Sequence, residues 1–104
     1  MKNPYPNEKF STAVDIMATS PDSIQRRVAD AYRYSLLRLN PEDLPEEIQS
    51  RFIALSQKLT RIEPKGDEGS VVATTSQMQT DEAISIAKEI LEMAHLVMRD
   101  YYNI

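Results

Sequence analysis

The chain has 104 residues, 41% of them hydrophobic and 27% charged, with no cysteine, no tryptophan and two glycines, which suits one soluble domain around a single core. Twelve basic side chains against sixteen acidic ones leave a net charge of −4, a field that disfavours general binding to nucleic acid or to an anionic membrane. Without cysteine there is no disulfide framework, thiolate nucleophile or structural zinc site of the usual kind, so a cytoplasmic setting is expected.

The opening residues MKNPYPNEKF lack the apolar run of a secretory signal, and no stretch approaches the roughly 20 apolar residues that span a bilayer. Pro4 and Pro6 predict an extended lead-in over residues 1–7. Asn7 then caps a first helix that ends near Ala18. Phe10, Ala13, Val14 and Met17 give this helix one narrow apolar face. Ser20, followed by Pro21 and Asp22, reads as the start of a second helix from Pro21 to Arg38, with Ile24, Val28, Ala31, Tyr32, Leu36 and Leu39 on its inner side. Pro41 stops it near Asn40. A third helix is expected from Pro45 to Arg61. Its stripe of Ile48, Phe52, Leu55, Leu59 and Ile62 follows the helical period closely.

Both glycines fall in PKGDEG, which predicts an irregular, exposed and mobile connection over 64–79. Within it, SVVATTSQM has the β-branched residues of a strand but no partner strand, so a short helical turn over 71–78 is favoured. Thr80, Asp81 and Glu82 open the last and longest helix, which reaches Tyr101. Asp81, Ser85, Lys88, Glu92, His95, Arg99 and Asn103 form its one polar stripe, and most of the remaining girth is apolar. Such a helix needs cover on more than one side, from its own bundle or from a second chain. The expected fold is all-α, a bundle of four principal helices in a single domain over 1–104.

Chemistry leaves few traces. His95 is the only imidazole and lies on the polar stripe between Glu92 and Arg99, as on an ordinary solvated face. No arginine precedes it by the four to six residues found in one class of helical RNA-cleaving enzymes. Asp67, Glu68, Asp81 and Glu82 match no calcium loop, Lys65 and the glycines match no phosphate-binding loop, and Thr74, Thr75 and Ser76 lack a neighbouring base, which points them to capping and turn chemistry. No catalytic residue, metal or cofactor is therefore expected.

Two binding readings remain. Near the carboxyl end Met93, Val97, Met98, Tyr101 and Tyr102 gather adaptable and aromatic side chains of the kind common in interface cores, which predicts self-association or docking to a protein partner. The alternative is a small nucleic-acid-binding regulator. Residues 25–65 carry eight basic residues against six acidic, and Arg26, Arg27, Arg33, Arg51, Lys58 and Arg61 lie on the second and third helices in an arrangement resembling helix-turn-helix. Basic stems flanking an apolar stripe also cover core edges while their charges stay wet, so nucleic acid is the weaker expectation.

Overall fold

The computed structural model describes residues 2–104 and is helical, with no strand among them. Five α-helices follow in order: α1 (Tyr5–Thr19), α2 (Ile24–Ala31), α3 (Glu46–Leu59), α4 (Gly69–Ser76) and α5 (Thr80–Tyr102). A π-helical turn, Tyr32–Leu36, continues α2, and a 3-10 turn, Pro41–Asp43, precedes α3. The all-α expectation holds, with one helix more than the four expected.

The start of α1 differs from the sequence reading. Pro4 occupies the N-cap with φ −77° and Pro6 lies in the first turn. The first-turn amides have no intrahelical acceptor in any case, so proline is tolerated there and the helix begins two residues before Asn7. The side chain of Asn3 accepts a hydrogen bond from the Tyr5 amide at 3.0 Å. The expected extended lead-in thus shrinks to the residues before Tyr5, and Met1 lies outside the described residues.

The second helix also starts elsewhere. Ser20 Oγ accepts from the Asp22 amide at 3.2 Å in a local turn, while Ser23 caps α2 by accepting from the Arg26 amide at 3.2 Å. Having closed its own turn, Ser20 is not the cap. The far end widens into the π turn, where the Leu37 amide bonds to the Tyr32 carbonyl at 2.8 Å. Two polar tips leave that turn in different directions. Tyr32 donates to Ser56 Oγ on α3 at 2.8 Å, and Ser35 donates to the Lys9 carbonyl on α1.

The segment after α3 is only partly the exposed loop expected. Pro64–Glu68 is exposed, but α4 is a folded helix with Val71, Ala73, Thr74 and Thr75 buried. Gly69 opens it at φ +79°, a conformation that favours glycine. Thr74 Oγ1 accepts from the Ile62 amide at 3.0 Å, which fixes α4 to the chain leaving α3.

The core gathers Phe10, Val28, Leu36, Ile48, Phe52, Leu55, Leu59, Ile90 and Met93 from α1, α2, the π turn, α3 and α5. Phe10 and Phe52 meet edge to face with centroids 6.2 Å apart. The molecule measures 43 × 26 × 21 Å. At 1.5 Å per residue α5 is about 34 Å long and spans most of the longest dimension. α1 runs antiparallel to it, with Lys2 at the Asp100 carboxylate, 3.3 Å, near its end. Among the described residues no helix is long and apolar enough to cross a membrane.

Candidate functional site

α5 divides its apolar residues among three environments. Ala83, Ile86, Ile90, Met93, Ala94 and Val97 face the core. Two of the expected partner-binding residues, Met93 and Val97, are therefore buried inside the monomer at 0% and 3% exposure and offer a second chain almost no surface. The expectation is corrected for these two because the bundle itself covers them, Val97 lying beside Pro6 and Asn7 of α1 and Leu44 and Pro45 ahead of α3. Tyr101 is half-buried, while Met98 and Tyr102 remain exposed at 37% and 58%.

Met98 does not stand alone. Ile84 and Leu91 are exposed at 43% and 41%, and Ile84, Leu91 and Met98 recur every seven residues. Such a step drifts only about 20° around a helix, so the three side chains form one straight stripe, extended by Tyr102 one turn on. The stripe borders α1. Val14, Ala18 and Ile24 meet Ile84, Ala87 and Leu91 in an apolar depression of about 270 Å³. A second depression of about 230 Å³ continues from Val14 and Leu91 to Ser11, Asp15, Ala94, His95 and Met98. The small side chains Ala18, Ala87 and Ala94 leave the floor open, and the result is one furrow along α1 and α5. Lys88 and His95 stand exposed on its α5 side, and Asp15 on its α1 side.

The basic residues of α2, the π turn and α3 are mostly turned to carboxylates of the same chain. Arg26 and Arg33 share Asp30 at 3.2 and 3.3 Å. Arg61 meets Glu82 at 3.0 Å. Arg51 holds Glu89 in a two-pronged pair, Nε to Oε1 at 3.0 Å and Nη2 to Oε2 at 2.9 Å, and reaches Glu92 at 2.7 Å. These hydrogen bonds hold the Glu89 carboxyl below its ordinary value and push the Arg51 guanidinium further above its own. Arg27 donates to the Met17 carbonyl at 2.9 Å and closes the end of α1. Lys58 makes no ion pair among the described residues and lies close enough to favour the charged form of Glu89. The six basic residues named from the sequence thus form no single free face, since Arg51 ties α3, and Arg61 the chain leaving it, to α5.

His95 is exposed, as its polar stripe predicts. The acidic pairs are locally engaged: Glu68 accepts from the Gly66 amide at 2.8 Å, Asp81 accepts from the Glu82 amide at 3.0 Å, and Glu82 holds Arg61. No group of three metal-ligating side chains converges among the described residues. The furrow residues Val14, Ala18, Ile84 and Leu91 are not among the binding residues expected from the sequence, where Val14 reads only as part of the apolar face of the first helix. Their signal was present as the seven-residue recurrence of Ile84, Leu91 and Met98, masked by apolar residues all around the same helix. Neither a family model, a curated protein nor a solved structure matches the chain.

Proposed function

We propose that this is a non-enzymatic interaction protein of the cytoplasm that self-associates as a homodimer through the α1–α5 furrow. The observation that carries the reading is the straight exposed stripe of Ile84, Leu91 and Met98 beside a floor of alanines. Such a stripe is self-complementary under a two-fold axis, the commonest symmetry of soluble oligomers. An axis through Leu91 sets Ile84 of one copy opposite Met98 of the other, seven residues to either side, with unbranched Met adapting its shape to branched Ile. Tyr102 extends the contact and lends apolar area with a polar tip. No catalytic step is assigned, because the sole imidazole, His95, stands in solvent at the furrow's edge.

The nucleic-acid alternative using Arg26, Arg27, Arg33, Arg51, Lys58 and Arg61 has less support. A recognition helix needs side chains free to reach base edges, and Arg51 on α3 and Arg61 just beyond it are held by acids of α5. Sedimentation velocity on the wild type and on Leu91→Glu tests the dimer. The expected result is a dimer at micromolar concentration for the wild type and a monomer with unchanged circular dichroism for the variant. A wild type that stays monomeric at high micromolar concentration overturns the reading.

A further inference from the structure

At the junction of α1 with the π turn, a depression of about 290 Å³ is lined by Tyr5, Lys9, Arg33, Tyr34, Leu37 and Arg38, together with buried Ser35. Three cations converge there, and no carboxylate lines the depression. The Lys9 ammonium lies 5.2 Å from the centre of the Tyr5 ring, and the Arg33 guanidinium 4.9 Å from that of Tyr34. Arg33 shares Asp30, whereas Lys9 and Arg38 make no ion pair among the described residues. Tyr34 is 64% exposed, so much of its ring surface stays open beside the guanidinium.

The backbone holds this cluster together. Tyr5 and Lys9 share a face of α1 only because the helix starts at Tyr5, one turn before Lys9. The π turn presents Tyr34 outward, and the residues just after it, Leu37 and Arg38, are exposed too, while Ser35 points inward and is tied to the Lys9 carbonyl. Departures from α-geometry of this kind frequently accompany functional sites.

We propose that this depression binds a nucleotide, free or within a single strand, with the phosphate against Lys9, Arg33 and Arg38 and the base stacked on Tyr34 or Tyr5. A carboxylate or bare phosphate would satisfy the cations and leave the rings idle, whereas a phosphate attached to a planar base uses both. Stacking on aromatic side chains beside a short basic track is the general mode of single-strand binding. The negative charge of the whole molecule limits the attraction to this local cluster of cations. This site lies away from the α1–α5 furrow and does not depend on the dimer.

The test is an NMR titration of the full chain at low ionic strength with AMP, a short oligoadenylate, inorganic phosphate and duplex DNA, repeated on Tyr34→Ala and Arg38→Glu. Both side chains are exposed, and circular dichroism checks that the variants fold. Shifts centred on Tyr5, Lys9, Tyr34 and Arg38 are expected with AMP or the oligoadenylate. For the oligoadenylate, one or two phosphates held by the three cations give a slope of log affinity against log salt of about −1. Tyr34→Ala weakens binding roughly tenfold, the loss of one stacked base, and Arg38→Glu weakens it further. Equal affinity for AMP and the oligomer identifies a free nucleotide as the ligand, and tighter binding of the oligomer identifies a strand. The proposal is overturned if neither binds, if both variants bind like the wild type, or if phosphate or duplex binds as well as AMP or the oligomer.

Discussion

Thr74 shows how one atom can hold two elements. Its side chain is fully buried, and its hydroxyl oxygen accepts from the Ile62 amide at 3.0 Å, so the chain leaving α3 is bonded to the middle of α4. Thr74→Val keeps the shape and removes the acceptor. The Ile62 amide, only half-buried, is then left to water or to nothing, and the expected loss is about 1–3 kcal/mol. Thr74→Ser keeps the oxygen and gives up one methyl, which costs about 1 kcal/mol. Urea unfolding of both variants measures the difference. A valine variant more stable than the serine variant would show that packing of the side chain, and not its hydrogen bond, fixes α4. Read from the sequence, the hydroxyls of Thr74, Thr75 and Ser76 suggested turn and capping chemistry. For Thr74 that is the right kind of chemistry, but its acceptor role spans twelve residues, and no local pattern announces a bond of that range.

At the scale of elements, α3 and α5 are joined by ion pairs, and these give stability a defined pH dependence. Arg51 lowers the Glu89 carboxyl chiefly by its two hydrogen bonds, against the opposing effect of partial burial. A carboxyl lowered in the folded state binds protons more readily when unfolded, so its contribution is complete above the ordinary value of 4.5 and disappears as pH falls through the folded value. Both side chains are about a third exposed, which limits the contribution to roughly 1 kcal/mol. Glu89→Gln should therefore be less stable than wild type by about that amount at neutral pH, with the gap closing below pH 4.5. Urea midpoints across that range check it, and a gap independent of pH would assign the loss to packing. The same elements show what was legible. The periodic stripe of Ile48, Phe52, Leu55 and Leu59 predicts α3 nearly to its ends, because one buried face repeats at the helical period. The starts of α1 and α2 were displaced because proline is tolerated in the first turn of α1 and because Ser20 closes a local turn, which leaves Ser23 to cap α2. The π turn left no trace, since it depends on where Tyr32 and Ser35 find partners on α3 and α1. The cluster of Tyr5, Lys9, Tyr34 and Arg38 stayed hidden with it.

For the whole molecule, the decisive quantity is how much of α5 its own bundle covers. The sequence shows that α5 is apolar over most of its girth, but helical periodicity gives only the angles between residues, not which sector the neighbours occupy. The fold assigns Met93 and Val97 to the core and leaves Ile84, Leu91, Met98 and Tyr102 uncovered. If a second copy supplies the cover, dimerisation and folding are linked, because the partner binds the native chain and not the unfolded one. Above the dissociation constant, each tenfold rise in protein concentration then stabilises each protomer by about 0.7 kcal/mol, half of RT ln 10. For a domain of this length that raises the thermal midpoint by about 3–6 °C. Leu91→Glu should abolish the concentration dependence while changing the dilute-solution midpoint little, because an exposed position contributes within about 0.5 kcal/mol to the monomer. Differential scanning calorimetry at several concentrations reads both quantities. A wild-type midpoint that does not move with concentration would mean that the furrow stays open in solution, with its stripe awaiting some other chain.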